Sequence, residues 1–475
     1  MSPDAPDHAA RAGTTIGPLL TRLRLARGFS QLRVAEQLCA AAGLPTVTRH
    51  EVSRWEREER IPGPFWIAWL AMVLDAPVEQ LSTAAALTRA RGSSTVEPGR
   101  GGHPGELAQL AHVWLAGSAD PPAGGHDDVR RLADQLSTLG GRLARVAGPP
   151  VRPTPHRVEL DRFGSPRGGQ PPRRAVELSD LRRLDDLVGG IDLAGAVGRQ
   201  LVDTARRVAA PRRWGPARRL AQIADAAQFA GWVAADAGDR QTAVAGYRLA
   251  VVAATAAGDR PLGAYAIASA SHLLVEYGDA PQALLLARTA YSGGHRTSSA
   301  TGRAVLLHRV ALAAALAGQR AVAERALGAA ERVAAQAEPS RDPAWLYWAG
   351  AAQLRSMSGR CLAALGRPLR AEPLLRAGPH TAAGPREAAL AGADLAGTYL
   401  DLGEIEQACS AAGVALLDAV RAGSARAAAR VAAVTDRLSR FADLPPARAH
   451  LRCSRAARPY LPVTEPVPAA RRGNA

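Results

Sequence analysis

Residues 28–56 read GFSQLRVAEQLCAAAGLPTVTRHEVSRWE, and this stretch decides the fold of the N-terminal part of the chain. Ser30 is a favourable N-cap, and the apolar residues between 32 and 38 recur at helical spacing, which predicts a short amphipathic helix. After a turn, Thr48 can cap a second helix over 49–56. That helix carries only two large apolar residues, so most of its surface is predicted to face solvent or a ligand.

The second helix has one apolar side and one basic side. At about 100° per residue, Val52 and Trp55 share one side, and hydrogen-bond donors crowd the other. A basic helical face suits the DNA major groove, because guanidinium groups match guanine edges and phosphates. A solvated charged face is the ordinary alternative, but the order of helix, turn, capped helix and a further apolar helix after residues 60–64 favours DNA reading. The outward residues are Arg49, His50, Ser53, Arg54 and Arg57.

Residues 15–82 resemble the lambda-repressor-like helix-turn-helix family of the Cro and XRE type. The matching residues are Leu23, Arg24 and Gly28, then Ser30 and Gln31, then VSRWE at 52–56. The resemblance implies a five-helix DNA-binding domain in which Gln31 contacts the DNA backbone, the third helix contacts bases, and Arg24 forms a structural ion pair with Glu56. The residues expected to bind DNA are Gln31, Thr48, Arg49, His50, Ser53, Arg54 and Arg57.

The turn before the reading helix departs from the family pattern. Residues 39–45 add about seven residues to a turn that is short in this family. The extra residues predict that the preceding helix extends to Ala42, with Gly43 as its C-cap.

The composition predicts an all-α protein with two or three domains. Alanine is abundant, aromatic residues make up only 4% of 475 residues, and no run of alternating β-branched residues indicates a sheet. The net charge of +16 favours polyanionic partners, although region 15–82 has eight arginines against seven acidic residues. The placement of arginines on one helical face is therefore better support for DNA binding than the total charge.

Several enzyme classes are excluded because the chain contains no lysine. Phosphate-loop, Schiff-base and Ser-x-x-Lys chemistries all need that residue, and no convergent nucleophile and base stand out, so we expect no catalytic site. The cysteines at 39, 361, 409 and 453 form no Cys-x-x-Cys pair, which predicts reduced core thiols and no metal site or cofactor. Without a signal segment or an apolar run of membrane-spanning length, a cytoplasmic protein with no membrane association is expected.

Composition shifts divide the chain further. Residues 1–14 and 462–475 are predicted to be disordered tails. Residues 83–175 form a predicted linker, rich in Gly and Pro at 148–155, with two helices at 106–116 and 127–146 that would make a small bridging unit.

Residues 176–461 contain a recurring pattern centred on five glycines. Alanine follows each glycine by five positions, and a small residue precedes it by seven. Spacings of 37 to 48 residues predict an array of helical hairpins, in which small residues let paired helices approach closely. The pattern resembles the tetratricopeptide repeat, with a longer period and without most of its Trp and Pro positions. The glycines are Gly238, Gly278, Gly318, Gly366 and Gly403.

A tetratricopeptide-like array implies a concave surface that binds a peptide or partner helix. By analogy, positions thirteen, ten and six before each glycine face the groove. Core packing is the alternative for the aromatic residues among them, and Arg360 could be a solvated cation. The predicted groove residues are Gln228, Trp232, Tyr265, His272, His308, Gln353 and Arg360.

Together, these resemblances imply a bacterial one-component transcriptional regulator, and the arginine-rich, lysine-free composition is similar to that of high-GC actinobacterial proteins. Double-stranded DNA is the expected partner, with a peptide or protein ligand in the groove. A homodimer is expected, because one short reading helix covers only a few base pairs. The alternative is a tetratricopeptide-type interaction scaffold with a vestigial DNA-binding domain.

Overall fold

The computed structural model describes residues 15–42, 47–62, 64–94, 104–116, 125–146, 177–210, 214–377 and 384–462. Every regular element in these ranges is helical, so the all-α prediction is confirmed for this part of the chain. The chain divides into two compact units, Met1–Gly101 and Gly102–Ala475. The tail predicted at 1–14, the tail predicted at 462–475 except residue 462, and the C-cap predicted at Gly43 lie outside the described residues.

The smaller unit contains five described helices around one apolar core. Leu19, Leu38, Trp55 and Leu70 come from four different helices and are all buried in that core. The second helix ends at Ala42, as the extra residues in the turn predict. The helices are α1 (Ile16–Ala26), α2 (Gln31–Ala42), α3 (Arg49–Glu56), α4 (Pro64–Leu74) and α5 (Val78–Ser94).

Helix α5 continues beyond residue 82, where the sequence predicts that the domain ends. Leu81 and Ala85 are fully buried, and the hydroxyl of Thr88 accepts a hydrogen bond of 2.8 Å from the backbone N–H of Ile16. The first N–H groups of a helix have no partner within it, so this bond satisfies the start of α1. The smaller unit therefore extends past the predicted boundary, because α5 covers the N-terminus of α1.

The larger unit contains sixteen helices within the described residues. Two 3-10 turns, Pro339–Arg341 and Ala344–Leu346, lie between α15 and α16. The helices are α6 (Pro104–Ala116), α7 (His126–Val146), α8 (Leu178–Asp185), α9 (Gly190–Ala209), α10 (Pro216–Asp236), α11 (Arg240–Ala257), α12 (Arg260–Glu276), α13 (Ala280–Gly294), α14 (Ala300–Leu316), α15 (Arg320–Ala334), α16 (Ala351–Ala364), α17 (Pro368–Arg376), α18 (Pro385–Leu402), α19 (Ile405–Ala422), α20 (Ala425–Leu438) and α21 (Pro445–Ala457).

Helices α6 and α7, which the sequence predicts as a separate bridging unit, belong to the larger unit instead. Trp114 on α6 is fully buried, its ring lies against Gly263 and Gly293, and its carbonyl accepts a hydrogen bond of 2.8 Å from Arg260. A side chain as large as Trp can be buried only against a matching surface, and the two glycines provide it. The apolar side of α7 packs on α9 in the same way, with Gly140 against Gly198.

Five helical hairpins follow one another from α10 to α19, and each turns at one of the glycines in the sequence pattern. Gly238, Gly278, Gly318, Gly366 and Gly403 end the first helix of each hairpin. Their φ angles lie between +69° and +85°, a left-handed conformation that other residues adopt only at a cost. The spacing of these glycines therefore marks the turns of five consecutive hairpins.

The small residues in the pattern are the points where paired helices touch. Those seven positions before the glycine and the alanines five positions after it are all buried. A Cβ added to Gly231 would lie 2.8 Å from the ring of Tyr247, and one added to Gly359 would lie 2.8 Å from Leu375. Small side chains at these positions therefore set the distance between the two helices of each hairpin.

The first helices of the larger unit contact the last ones. Arg386 at the start of α18 donates two hydrogen bonds, of 2.6 and 2.9 Å, to Asp185 at the end of α8. Asp236 at the end of α10 accepts hydrogen bonds from the Ser424 hydroxyl at 2.7 Å and the Gly190 N–H at 2.8 Å. The row of hairpins is therefore closed between α8–α10 and α18–α20.

Candidate functional site

The basic side of α3 is exposed in the smaller unit. Val52 and Trp55 are each 2% exposed and fix the helix to the core, whereas Arg49, His50 and Arg54 lie on the solvent side. Neither Arg49 nor His50 has a hydrogen bond or ion pair with another residue that the structure describes. Their donors are therefore available to a ligand on this face.

A partly buried ion pair holds α3 against the first two helices. Arg24 donates to Glu56 at 2.5 and 3.0 Å and to the carbonyl of Phe29 at 2.9 Å, and Gln31 donates to the same carboxylate at 2.7 Å. The Arg24–Glu56 pair expected from the family resemblance is present. Because α1, α2 and α3 converge on one carboxylate, the orientation of α3 is fixed at its C-terminal end.

The remaining residues predicted to bind DNA have mixed surroundings. Thr48 occupies the N-cap position of α3 but its side chain makes no capping bond, so the cap predicted for its hydroxyl is absent and the hydroxyl is exposed. The cap predicted for Ser30 is present, since its hydroxyl accepts from the Arg33 N–H at 3.1 Å. Ser53 is half-buried, and Arg57 is exposed beside Glu59 at 3.2 Å.

Arg54 has an acidic neighbour on its own helix. It lies 3.3 Å from Glu51, which also accepts from Arg60 at 2.9 Å. The Arg54 side chain is 46% exposed, and exposed pairs of this kind are worth only about 0–1 kcal/mol. A base or phosphate can therefore replace Glu51 as the partner of Arg54 at little cost.

Two adjoining cavities lie inside the larger unit. The larger cavity has a volume of about 700 Å³ and is lined mainly by α12, α18 and α20. The smaller cavity has a volume of about 330 Å³ and also reaches α8, α14 and the segment between α15 and α16. The five residues that line both are Trp232, His272, Arg360, Asp394 and Arg426.

Aromatic side chains surround the smaller cavity. Tyr265 stacks on Trp345 with ring centroids 4.5 Å apart, and its hydroxyl accepts a hydrogen bond of 3.0 Å from the indole N–H of Trp348. The indole N–H of Trp232 donates to Asp185 at 3.0 Å, which fixes its ring near the closing ion pair. These bonds hold the rings in place before any ligand binds.

The carboxylates in the cavities are compensated by arginines. Glu276 accepts from Arg430 at 2.7 and 2.8 Å and from Arg360 at 2.7 Å, and Asp394 accepts from Arg430 at 2.5 Å. Burial alone would raise the pKa of Glu276, but Arg430 and Arg360 outweigh it and hold the pKa well below its usual value. Glu276 is therefore ionised, and its charge is already neutralised by the protein.

Three polar groups in the cavities are left with open hydrogen-bonding capacity. Arg309 has no hydrogen bond or ion pair within the described part of the chain; burial lowers its pKa to about 10, so it stays charged at neutral pH. The Arg426 side chain is only 7% exposed, and its Nη2 has no partner. The Nδ1 of His272 also has none, and burial holds the pKa of this imidazole well below its usual value, so it is neutral.

Six of the seven predicted groove residues line one or both cavities: Gln228, Trp232, Tyr265, His272, Gln353 and Arg360. His308 does not, so its prediction as a groove residue is wrong. It is buried, Nδ1 donates to the carbonyl of Ala304 at 2.8 Å, and Nε2 accepts from the Ser358 hydroxyl at 3.0 Å. Arg360 is not a solvated cation, because Glu276 holds it.

Residues nine positions before each hairpin glycine also line the cavities, although the groove pattern does not predict them. Counting back nine reaches a cavity-lining residue in all five hairpins, whereas counting back ten or thirteen does not. Arg309, one residue after His308, was missed for this reason. The signal was present, because positions nine and six before the glycine are three apart and share one side of a helix. The five residues are Phe229, Ser269, Arg309, Met357 and Asp394.

The cysteines and the lengths of the helices test two further predictions. All four cysteines are free, and Cys361 and Cys409 are buried as predicted, whereas Cys453 on the edge helix α21 is exposed. The prediction of a core thiol is therefore wrong for Cys453. Among the helices described, none combines the length and the apolar character needed to cross a membrane.

Comparison with known proteins returns nothing: no protein-family model, curated protein or solved structure matches this chain significantly. The functional assignment therefore depends on the two sites described above.

Proposed function

We propose that this chain is a sequence-specific DNA-binding transcriptional regulator whose larger unit binds a ligand. The observation that carries the proposal is the exposed face of α3, where Arg49 and His50 have free donors and Arg54 is only weakly paired. The Arg24–Glu56–Gln31 network gives that helix a fixed orientation. A rigid helix with outward arginines fits the major groove, where arginine reads guanine.

Affinity and specificity have different sources on this face. Phosphate contacts from Gln31 and Thr48 would position the unit, whereas Arg49 and Arg54 would read base edges. Each good base contact is worth about 1–3 kcal/mol, so one helix gives modest specificity. We therefore propose that the protein acts as a homodimer on two half-sites about one helical turn apart.

The larger unit supports a sensing role because its cavities contain unpaired polar groups. A peptide or protein ligand was expected from the groove pattern, and the cavities lie at most of the predicted positions. Ligand binding in one unit and DNA binding in the other would make a one-component regulator acting in the cytoplasm.

Selection from random double-stranded DNA tests this function. Purified full-length protein is incubated with the pool at about 150 mM salt, where non-specific binding is weakened, and the retained DNA is sequenced. We expect a motif with two-fold symmetry. Arg49→Ala or Arg54→Ala should relax the preference at particular base pairs, and Gln31→Ala should weaken binding to all sequences.

The matched control is Arg131→Ala in the larger unit, which removes an exposed arginine paired with Asp128 and should leave the motif unchanged. Binding that is sensitive to salt but independent of sequence would contradict the proposal and favour the interaction scaffold. An unchanged motif in Arg49→Ala would show that α3 is not the reading helix.

A further inference from the structure

We propose that the smaller cavity binds a planar aromatic compound that carries an anionic group, such as a carboxylate, phosphate or sulfonate. The proposal names the ligand class of the sensing site and depends on the proposed function only for the regulatory meaning of binding. Ring contacts, an open positive charge and the size of the cavity each support it.

The cavity concentrates a rare residue type. The whole chain has 20 aromatic residues, counting Trp, Tyr and Phe, and six of them line this one cavity. Aromatic faces favour flat rings through stacking and apolar contact. Hairpin packing needs no such cluster, because aliphatic residues, chiefly alanine, leucine and valine, make up most of the core. The six are Phe229, Trp232, Tyr265, Trp345, Tyr347 and Trp348.

The charge balance at the cavity surface favours an anion. Each carboxylate lining the smaller cavity already has a donor: Asp185 has Arg386, Asp394 has Arg430, Asp186 accepts from Tyr347 at 3.1 Å, and Glu387 accepts from Gln353 at 3.2 Å. A cationic ligand would therefore have to compete with bonds that the protein makes itself.

Two guanidinium groups that line the smaller cavity have N–H donors that no protein group uses. Arg309 is half-buried and has no hydrogen bond or ion pair with another described residue. Arg426 pairs with Asp236 through Nε at 3.4 Å, but its Nη2 has no partner, and its guanidinium lies 4.2 Å from the ring centre of Trp232. Guanidinium N–H groups that are withdrawn from water and unused by the protein favour an anion, and an anion that reaches both arginines would gain charge-assisted hydrogen bonds. Arg426 lies over an aromatic ring, so the anionic group and the ring of one ligand can be held side by side.

The volume limits the ligand. About 330 Å³ is at the lower end for small-molecule sites and accommodates a molecule of one to three rings. An extended peptide of several residues would also need the larger cavity.

A pair of fluorescent probes that differ only in charge tests the proposal. Dansylate, 5-(dimethylamino)naphthalene-1-sulfonate, is an anion, and dansylamide is its neutral analogue with the same rings. Full-length protein is titrated with each, and binding is followed by energy transfer from tryptophan. We expect dansylate to bind at least roughly tenfold more tightly than dansylamide, because a charge-assisted hydrogen bond is gained.

Three variants test which residues cause the preference for the anionic probe. Arg309→Met removes one of the two charges without breaking any bond described in the structure, so it should fold normally and clearly reduce the preference for dansylate, with Arg426 keeping part of it. Arg303→Met on the same helix, whose residue does not line the cavity, should keep the preference. Trp345→Leu should weaken the binding of both probes by a similar factor, since it removes a ring surface and no charge.

Several results would overturn the proposal: no binding of either probe, equal binding in the unsubstituted protein, or a preference that Arg309→Met leaves undiminished. Inorganic phosphate that displaces dansylate at an equal concentration would show that the ring adds no affinity, which also contradicts it. The DNA selection is independent of these titrations. A DNA motif without a preference for dansylate would indicate a regulator with a different ligand. A preference for dansylate without a DNA motif would indicate a ligand-binding scaffold.

Discussion

Replacing Arg386 with methionine should open the contact between the first and last helices of the larger unit. The Arg386 side chain is 3% exposed, and it neutralises Asp185, which is buried beside Asp236. Burial alone would lower the pKa of Arg386, but these two carboxylates raise it well above its usual value. Arg386→Met therefore leaves buried carboxylate charge without its main counter-charge, and methionine fills much of the same volume.

The magnitude follows from the uncompensated charge. Removing one partner of a buried pair costs about 3–5 kcal/mol, which corresponds to a rise of about a hundredfold to a few thousandfold in the opening equilibrium. Helices α18–α21 have an apolar core of their own, so α20 can separate from α10 without unfolding completely. Hydrogen exchange of the α20 amides, measured by mass spectrometry on full-length protein, should report this opening.

The destabilisation caused by Arg386→Met should be larger at neutral than at acidic pH. Burial raises the pKa of Asp185, and the loss of Arg386 would raise it further. A carboxyl pKa that is higher in the folded than in the unfolded state lowers the stability of the variant at neutral pH. This loss of stability shrinks as the pH falls and the carboxyl becomes protonated, first in the folded state and then in the unfolded state. The difference between variant and unsubstituted protein should therefore shrink from pH 7 toward pH 5.

Two further variants test whether the Arg386–Asp185 pair holds the closure. Arg437→Met removes an arginine of α20 that pairs with Asp401 in a solvent-exposed contact, so its effect should stay below about 1 kcal/mol. Combining Arg386→Met with Asp185→Asn should restore much of the lost protection, because the unpaired charge is gone. If α20 exchanges at the same rate in Arg386→Met as in the unsubstituted protein, the ion pair does not hold the closure.

Other substitutions test separate parts of the structure. Gly17→Ala should destabilise the smaller unit by about 1–3 kcal/mol in thermal unfolding, since the added Cβ would lie 2.4 Å from the carbonyl of Glu56. Gly413→Ala, in a helix with open space around it, should instead stabilise by about 0.4–1 kcal/mol, and a loss of stability there would contradict the packing. Burial lowers the pKa of His308 from 6.5 to about 4, so the free energy of unfolding should fall by about 3 kcal/mol as the pH drops from about 6.5 to about 4. Denaturant titrations across that range should show a smaller fall in His308→Gln, and an identical fall would show that His308 is not the group responsible.

The hairpins of the larger unit could be predicted because their signals are local. A glycine in the left-handed conformation, a small residue seven positions earlier and an alanine five positions later all lie within one hairpin. Backbone geometry and helix contact require those residue types wherever the hairpin occurs. The Arg24–Glu56 pair could also be predicted, but from the family resemblance and not from a local signal, because the two residues are 32 positions apart.

The closure of the larger unit could not be predicted from sequence. Asp185 and Arg386 are 201 residues apart, and nothing in the local pattern around either residue indicates the other. The placement of α6 on the hairpins could not be predicted for the same reason, because Arg260 and Trp114 are 146 residues apart. Such contacts depend on how small changes of direction accumulate over many helices, which a single sequence does not reveal.

The variation among the hairpins themselves separates packing from ligand binding. Seven positions before each glycine, all five hairpins have Gly, Ala or Ser, because close helix contact permits nothing larger. Nine positions before it, the residues are Phe229, Ser269, Arg309, Met357 and Asp394, which share neither size nor charge. A position set by hairpin packing should keep one chemistry from copy to copy, and this one does not. Because all five line the cavities, their differences fit an asymmetric ligand that meets rings on one side and a cation on another.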